Sequence, residues 1–314
     1  MSALAEIVGD SAGIRRLREQ LDQMLARAAT ARRPPPILLR GETGTGKGLV
    51  ARTMHRAGPR ARAPFVDVNC AAIPETLLEA ELFGYERGAF TDARQAKPGL
   101  FQLAHRGMLF LDEIGMLSPA LQAKLLKVLE DGVVRRLGGT RAEPVDVWIV
   151  SATNEDLAES LRARRFREDL YHRLAVLSLE LPPLRERGAD VLVLADRFLA
   201  RACADYGLPP KTFARDARAA LASYAWPGNV RELGNLVERV ALLADEPVVT
   251  AAMLALPVTT TADDPPGAEP SSAMSSRDQM RAHLLEVLTE TGWNISQTAV
   301  RLGVARIWLS PSLK

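Results

Sequence analysis

Apolar positions along the first part of the chain alternate between helical and strand spacing. Between residues 14 and 29 they recur with the 3.6-residue period of an amphipathic helix. Short apolar runs with the length of buried parallel strands lie at residues 37–39, 65–68, 109–111, 145–151 and 175–179. Helical patterns separate these runs, notably at residues 121–130. The alternation predicts an α/β fold, in which a parallel sheet has helices on both faces.

The second part of the chain has a different pattern. Strand spacing disappears from Asp190 onward and helical periodicity continues to about Leu256, which predicts a helical subdomain. The next stretch is rich in Pro, Thr, Ser, Ala and Asp and has the composition of a flexible linker. Helical periodicity then returns, with the spacing of helix, tight turn and helix around Gly303. The predicted parts are residues 1–188, 189–256, 257–276 and 277–314.

Composition narrows the class of protein. A chain of 314 residues, 47% hydrophobic and 25% charged, has the composition of a soluble protein with two or three domains. The net charge of +2 favours neither a nucleic-acid partner nor its absence. No run approaches the roughly 20 apolar residues of a membrane span, and the first ten residues lack a signal-peptide layout. Cys70 and Cys203 are too few for a disulfide framework, so we expect a cytoplasmic protein.

The first chemical motif directly follows the first predicted strand. It fits the G-x-x-x-x-G-K pattern of a phosphate-binding loop, and comprises Gly41, Glu42, Thr43, Gly44, Thr45, Gly46 and Lys47. Glycines let backbone N–H groups turn toward phosphate oxygens, Lys47 adds a positive charge, and the following helix adds its N-terminal dipole. A Gly-rich turn between strand and helix is the simpler alternative. A second nucleotide motif downstream favours a bound nucleoside triphosphate.

That second motif is a carboxylate pair at the end of a predicted strand. Asp112 and Glu113 follow the apolar run at residues 109–111, and open α/β sheets bind ligands at the carboxyl ends of their strands. Alone, such residues are more often helix caps or solvated charges. With a phosphate loop upstream, Asp112 is expected to hold Mg²⁺ and Glu113 to polarise the attacking water. Position 48 is Gly, where such enzymes usually place a Ser or Thr hydroxyl on the metal.

The motifs, in this order, resemble those of the AAA+ ATPases that activate bacterial sigma-54 RNA polymerase, the enhancer-binding proteins. The resemblance runs from Ile7 to about Arg306 and rests on GETGTGK, FVDVNCAAIPETLLEAELFGYERGAFTDA, LFLDEI, FREDLYHRL, PPLRER and WPGNVREL. It implies an AAA+ nucleotide-binding subdomain followed by a helical lid. It also implies an activator that hydrolyses ATP with Mg²⁺, assembles into a ring, typically a hexamer, and remodels closed sigma-54 complexes so that promoter DNA opens. Members of this family commonly lack a hydroxyl at the position of Gly48.

The resemblance implies further roles at the nucleotide site. Asn154 would sense the γ-phosphate or orient water, whereas its simpler role is to cap the next helix. Arg167 and Arg173 match the arginine fingers that reach the nucleotide of a neighbouring subunit. The alternative is that these two arginines pair on the surface with Glu168 and Asp169.

Three more positions match residues with a role in this family. Arg231 resembles a second sensor, placed on the lid so that ATP bridges the two subdomains. Asn69 matches the residue that restrains Glu113 until the target is engaged. Val8 and its neighbours match the segment that packs near adenine. Each of these residues has an alternative role in packing or capping.

A Gly-rich loop resembles the sigma-54-contacting loop of this family, and comprises Gly88, Ala89, Phe90, Thr91, Asp92 and Ala93. Phe90 and Thr91 are expected to touch sigma-54, because an aromatic side chain at a loop tip is costly to expose without a partner. The family usually has Gly at the position of Asp92, which here adds a negative charge. Asp92 keeps an alternative function open, a nucleotide-binding and DNA-binding regulator or repressor without productive sigma-54 contact. Residues 135–139 resemble the supporting second loop of the ring.

The end of the chain resembles the family's Fis-like helix-turn-helix from Gly292 to Arg306, which implies promoter-upstream DNA as a partner. The match ends after Arg306, and Pro311 would break the recognition helix, so weakened or lost DNA binding is expected. The resemblance begins at Ile7 with no N-terminal regulatory domain before it. Control is therefore expected to come from a separate regulatory protein, from expression level, or from a domain lost from this chain.

Overall fold

The computed structural model describes residues 3–31 and 33–256. The α-helices are α1 (Ala12–Thr30), α2 (Lys47–Ala57), α3 (Glu75–Phe83), α4 (Leu100–Leu103), α5 (Pro119–Asp131), α6 (Leu157–Arg162), α7 (Glu168–Leu174), α8 (Asp190–Asp205), α9 (Arg215–Ser223), α10 (Asn229–Leu243) and α11 (Ala251–Leu254). The strands are β1 (Ile37–Arg40), β2 (Phe65–Asn69), β3 (Gly84–Tyr85), β4 (Lys97–Pro98), β5 (Met108–Asp112), β6 (Val133–Arg135), β7 (Ala142–Pro144), β8 (Trp148–Thr153), β9 (Leu177–Glu180), β10 (Thr212–Phe213) and β11 (Val248–Val249). The predicted linker at 257–276 and helix-turn-helix at 277–314 lie outside the described residues.

A five-stranded parallel sheet in the order β2-β5-β8-β1-β9 organises the first part of the chain. This sheet, with helices on both faces, confirms the α/β prediction. Its register brings strand ends together, since Arg40 pairs with Thr153 and Asn69 with Asp112. The segments after β1, β5 and β8 therefore share one edge of the sheet, where α/β proteins bind ligands.

Each face of the sheet has its own apolar core, because successive residues of a strand point to opposite faces. On one face, β1 and β5 pack against α3, α5 and α7 through Leu38, Leu109, Leu111, Leu78, Leu125 and Leu170. On the other face, the same strands pack against α1 and α2 through Ile37, Leu39, Phe110, Leu17, Leu21, Val50 and Met54. The apolar stripe of α1 was predicted from its 3.6-residue period, and the helix indeed buries that face.

Two strands begin later than their apolar runs suggested. β8 begins at Trp148 and not at Val145, because the Val145 N–H donates to Gly132 O (2.8 Å) and so continues the pairing of β7 with β6. β9 begins at Leu177, since the preceding Ala175 caps α7 through its N–H. A continuous apolar run does not distinguish a strand from the turn that leads into it.

The helical subdomain after Asp190 has a separate core, centred on the fully buried Trp226. The Trp226 indole donates to Leu221 O (2.9 Å), so the polar atom of this large side chain is satisfied. The expectation of no strands in this region was wrong, since β10 and β11 form a short parallel pair. Two-residue strands are too short to show a period-two pattern. In the described part of the chain, no helix combines the length and apolarity that a bilayer span requires.

Candidate functional site

The phosphate loop (residues 41–47) joins the end of β1 to the start of α2. Gly41, Gly44 and Gly46 have φ values of 149°, 80° and 107°, a region that favours glycine. A Cβ added at Gly44 would lie 2.3 Å from Gly228 O, whereas one at Gly48 would lie 3.8 Å from the nearest atom, on Phe110. The loop therefore requires glycine at position 44 and has room for a side chain at position 48.

Gly44→Ala is expected to lower the free energy of unfolding by about 2–4 kcal/mol, because it combines left-handed strain with a backbone overlap. Its matched control, Gly48→Ala, is expected to raise that free energy by about 0.5–1 kcal/mol, since Gly48 lies in the first turn of α2 without a close neighbour. Chemical denaturation of both variants measures the difference. Equal effects of the two substitutions would contradict this account of the loop.

Lys47 lies buried beneath the loop. Its Nζ donates to Gly41 O (2.8 Å) and Glu42 O (3.2 Å). Burial lowers the pKa of the Lys47 ammonium, while the carboxylates of Glu113 and Asp112 act in the opposite direction. The direct hydrogen-bond partners of the ammonium are two neutral carbonyl oxygens, so an anionic oxygen that replaced one of them would form a stronger, charge-assisted hydrogen bond.

The carboxylate pair faces the same space as Lys47. Asp112 is the last residue of β5, and its Oδ1 accepts the N–H of Glu113 (3.1 Å). Glu113 has a left-handed backbone (φ 53°), which turns the chain sharply after the strand. A cavity of about 320 Å³ is lined by both carboxylates and the loop, through Thr43, Gly44, Gly46, Lys47, Gly48, Asp112, Glu113 and Arg231 among others.

The donor set at this cavity fits a magnesium ion. No group of three or more His, Cys, Asp or Glu side chains in the described ranges is arranged to hold a metal. Mg²⁺ is commonly held by one or two carboxylates together with substrate phosphates and water, so Asp112 beside a phosphate loop is a suitable ligand. Gly48 offers no hydroxyl, which leaves more of the coordination to Asp112, phosphate and water.

Asn154 connects the phosphate loop with the carboxylate pair. Its Nδ2 donates to Thr43 Oγ1 (2.9 Å), and its backbone N–H lies 3.4 Å from Glu113 Oε2. The cap of α6 is Asp156, whose Oδ1 accepts the Ala158 N–H (2.9 Å). The helix-cap alternative for Asn154 was therefore wrong.

Asn69 lies at the end of β2, opposite Asp112 in the sheet register. Its Oδ1 accepts the N–H of Ala71 (2.8 Å). Within the described residues, no hydrogen bond joins Asn69 to Glu113. In this conformation the side chain closes a local turn and does not hydrogen-bond to Glu113, so the restraining role of Asn69 stays a prediction.

The two candidate arginine fingers lie at opposite ends of α7, and neither lines the cavity that contains Lys47. Arg167 forms two hydrogen bonds to Asp169 (3.0 and 2.7 Å), which raise the pKa of its guanidinium. Surface pairing, the alternative considered for Arg167, is therefore present here. Arg173 pairs with neither acidic neighbour; it is exposed, and its Nη2 donates to Leu129 O (3.1 Å).

Arg231 and Val8 approach the loop from two other directions. The Arg231 N–H donates to Gly44 O (3.3 Å), and Arg231 contributes to the wall of the Lys47 cavity. Val8 is half-buried and lines a neighbouring cavity of about 420 Å³, together with Gly46 and Leu49. The loop therefore borders a second cavity, whose lining combines apolar side chains such as Val8 and Leu49 with several arginines, and it also contacts Arg231.

Three residues that contact the loop had no role assigned from the sequence. Arg185 donates to both carboxylate oxygens of Glu42 (2.9 and 2.6 Å), and Asn229 Nδ2 donates to Glu42 Oε2 (3.0 Å). The buried Arg187 donates to Thr45 O (2.8 Å). These residues belong to the motifs PPLRER and WPGNVREL, which could have marked them as candidates for a functional role. Their contacts with the loop could not be found from the sequence, because each contact joins positions more than 140 residues apart.

The predicted sigma-54-contacting loop is a compact turn. The N–H of Gly88, a residue with φ 83°, donates to Ala93 O (2.8 Å), and the Ala93 N–H donates to Phe90 O (3.0 Å). The Phe90 ring is 43% exposed and packs on Tyr85, with ring centroids 4.9 Å apart. Thr91 and Asp92 are exposed, and Asp92 is not among the described residues with positive φ. An aspartate at this position therefore needs no unusual backbone angle.

The second loop supports the first one. A Cβ added at Gly138 would lie 3.0 Å from Ala89, so the two loops are in close contact. The Glu86 N–H donates to Leu137 O (2.9 Å), and Arg136 pairs with Glu86 (3.3 Å). The predicted support of one loop by the other has a direct physical basis in these contacts.

A parallel sheet in this strand order, a phosphate loop after β1, acidic residues after β5 and a helical lid define the AAA+ fold. The family described as "Sigma-54 interaction domain" matches residues 7–180, and the one described as "AAA+ ATPase lid domain" matches residues 185–270. The chain belongs to the Sigma-54 interaction domain family. The family predicted from the motifs is confirmed.

Regulators and solved structures from several bacteria are similar to this chain. The response regulator protein PilR of Pseudomonas aeruginosa is 43% identical over 308 residues, which cover 95% of this chain and 66% of that protein. The Nif-specific regulatory protein of Azotobacter vinelandii is 42% identical over 301 residues, which cover 95% of this chain and 56% of that protein. The chain thus spans between 56% and 66% of the length of these two relatives.

Crystal structures of NtrX from Brucella abortus have the same fold. One superposes with a TM-score of 0.73 and 36% identity, over 99% of this chain and 69% of that chain. Others, in complex with ADP and with ATP, give TM-scores of 0.72 and 0.71 at the same identity, over 98% of this chain and 68% of each of theirs.

Proposed function

We propose that the protein is an ATP-hydrolysing transcription activator that remodels closed complexes of sigma-54 RNA polymerase. The observation that carries the proposal is the single cavity shared by Lys47, Asp112, Glu113 and Arg231 in a chain of the Sigma-54 interaction domain family. The ADP and ATP complexes of NtrX support ATP as the nucleotide. Regulators that are similar over almost all of this chain support a role in transcription.

The proposed reaction uses groups that already face the cavity. The phosphates of ATP replace the carbonyl oxygens as partners of the Lys47 ammonium, and the loop N–H groups bind phosphate oxygens. Asp112 would hold Mg²⁺, which would supply positive charge next to the phosphates. Glu113 polarises the attacking water, and Asn154 lies between Glu113 and Thr43, where an amide can respond to the γ-phosphate.

The proposed active site is completed by a second copy of the chain. Arg173 is exposed and does not line the Lys47 cavity of its own chain. In a ring of subunits it would instead reach the nucleotide of the neighbouring subunit. The same role is proposed for Arg167, which must first leave Asp169. A ring, typically a hexamer in this family, follows from this arrangement.

We also propose the boundaries 1–188 and 189–256 for the two subdomains, a cytoplasmic location and promoter-upstream DNA as a further partner.

Phe90→Ala is expected to reduce open-complex formation on a sigma-54 promoter by about tenfold or more, because buried aromatic anchors contribute most to such contacts. Its ATPase rate is expected to remain within about twofold of wild type, since Phe90 packs on Tyr85, away from the Lys47 cavity. The measurement pairs an ATPase assay with a promoter-opening assay. Leu243→Ala, which removes an apolar side chain of 76% exposure from the lid, is the control.

Equal loss of both activities in Phe90→Ala would contradict a sigma-54 contact at this loop. Promoter opening unchanged by the substitution would contradict it as well. Wild-type protein that binds nucleotide and DNA without opening the promoter would favour the regulator or repressor, for which the exposed charge of Asp92 is the supporting observation.

A further inference from the structure

Asn229 is a fully buried polar residue at the first turn of α10. Its Oδ1 accepts the Leu184 N–H (2.7 Å), and its Nδ2 donates both to Glu42 Oε2 (3.0 Å) and to Thr43 O (3.0 Å). Its φ of 53° is a left-handed conformation that Asn tolerates better than most residues. One side chain thus joins the phosphate loop, the segment before α8 and the lid helix, with both amide donors used.

Glu42 is the loop residue that receives this contact. Arg185 donates to both of its carboxylate oxygens, so the carboxylate is held by a two-bonded guanidinium and by an amide. The hydrogen bond from Arg185, followed by the one from Asn229, lowers the pKa of Glu42 to about 2. The carboxylate therefore remains ionised throughout the neutral range.

The contacts continue along the loop in sequence order. Thr43 O accepts from Asn229, Gly44 O accepts from the Arg231 N–H (3.3 Å), and Thr45 O accepts from Arg187 Nη2 (2.8 Å). Three successive carbonyl oxygens of the loop are therefore held by residues at positions 187–231.

Fixed carbonyl oxygens also fix the adjacent N–H groups. In a planar trans peptide the C=O and the following N–H point in opposite directions, and the described residues contain no cis peptide. The carbonyl oxygens of Thr43 and Thr45, bound by Asn229 and Arg187, direct the N–H groups of Gly44 and Gly46 the other way. These glycines line the Lys47 cavity, where phosphate oxygens are expected.

We propose that Glu42, Arg185 and Asn229 form a latch through which the segment leading into the lid and the lid helix α10 together orient the phosphate loop for ATP. The three are positioning residues, since they act on the nucleotide through the backbone of the loop. The latch rests on the proposed function, because its effect is defined by ATP binding. Because of the latch, ATP affinity depends on the contacts that Arg185 and Asn229 make with the loop, on the side opposite the N–H groups that face the phosphates.

The test is binding of a fluorescent ATP analogue, with Mg²⁺, to the full chain carrying each substitution. Glu42→Gln is expected to weaken binding about five- to tenfold. The amide that replaces the carboxylate must place its NH₂ group opposite an N–H donor of Arg185 or Asn229, so at least one hydrogen bond of the latch is lost. Asn229→Asp is expected to weaken binding by more than about tenfold, since it keeps an acceptor for the Leu184 N–H but sets a carboxylate against Glu42.

The double variant separates a latch from general damage. In Glu42→Gln/Asn229→Asp, the amide introduced at position 42 can donate to the carboxylate introduced at position 229, so tighter binding than Asn229→Asp alone is expected. The matched control is Asp196→Asn. It disrupts a two-bonded ion pair with Arg218 (2.8 and 3.1 Å) of similar exposure within the lid, and affinity should stay within about twofold of wild type.

Distinct results overturn the latch alone or the whole proposal. Wild-type affinity in Glu42→Gln, or a double variant no tighter than Asn229→Asp, would overturn the latch while the proposed function stands. An equal loss in Asp196→Asn would overturn it too, because the effect would not be specific to the loop. No binding of the analogue by wild-type protein would overturn both the latch and the proposed function.

Discussion

Glu113→Gln is expected to reduce ATP hydrolysis by about 10²–10⁴-fold while ATP affinity stays within about twofold. The substitution keeps the size of the side chain and an oxygen near the Asn154 N–H, but removes the charge that polarises water. Affinity is preserved because Lys47 and the loop N–H groups, which bind the phosphates in our proposal, are unchanged. Steady-state ATPase rates and analogue binding measure the two quantities.

The control for this variant is Glu246→Gln, which makes the same chemical change at an exposed residue of the lid. Its hydrolysis rate is expected to match wild type. Hydrolysis retained in Glu113→Gln would contradict the assignment of this residue as the group that activates water. Loss of affinity together with rate would mean that Glu113 serves mainly to shape the phosphate site.

Arg173→Ala is expected to lower ATP hydrolysis by about 10³-fold or more, the effect of removing an arginine that offsets transition-state charge. The control is Arg162→Ala, which should keep the wild-type rate. Arg162 is also an exposed arginine that donates to a backbone carbonyl, Ala158 O (3.1 Å). The same assay at increasing protein concentration is expected to show turnover that rises steeply for wild type, because in our proposal the site is complete only in the ring.

Mixing two inactive variants distinguishes action within one chain from action between chains. Arg173→Ala subunits keep Glu113, and Glu113→Gln subunits keep Arg173. In a ring assembled at random from equal parts, about one quarter of all sites combine an intact Glu113 with an intact arginine from the neighbour, so about that share of the wild-type rate should return. No recovery on mixing would contradict a finger that acts on the neighbouring nucleotide.

Local patterns predicted the parts of the site that lie within a few residues of one another. The phosphate loop was recognisable because glycine is needed where φ is positive, at Gly41, Gly44 and Gly46. The carboxylate pair was recognisable because β5 is buried on both faces and its apolar run ends abruptly at Asp112. The parallel sheet then brings both to one edge, so their proximity followed from the fold class.

Contacts between distant segments could not be predicted in the same way. Glu42 meets Arg185 and Asn229 across 143 and 187 positions, and no periodicity links residues so far apart. The role of Asp156 as the α6 cap was missed for a different reason. Asn and Asp cap helices about equally well, so only the backbone direction decides between Asn154 and Asp156.

The fold separates the chemical site from the proposed contact with sigma-54. Phe90 lies in the turn between β3 and β4, whereas Lys47 and Glu113 follow β1 and β5 at the edge of the main sheet. The two regions are linked through β2, since Asn69 is at its end beside Asp112 and α3 leads from it to β3. The structural path from Asp112 to the Phe90 loop therefore crosses the β2–β5 strand pairing and then follows the chain through α3 to β3.

Promoter opening by wild-type protein on a sigma-54 template tests the central claim most directly. The assay compares ATP with a non-hydrolysable analogue and includes Glu113→Gln as a variant that binds ATP without turnover. We predict open complexes with wild-type protein and ATP, and none with the analogue or with Glu113→Gln. Wild-type protein that hydrolyses ATP without opening the promoter, or that opens it equally well with the analogue, would contradict the account.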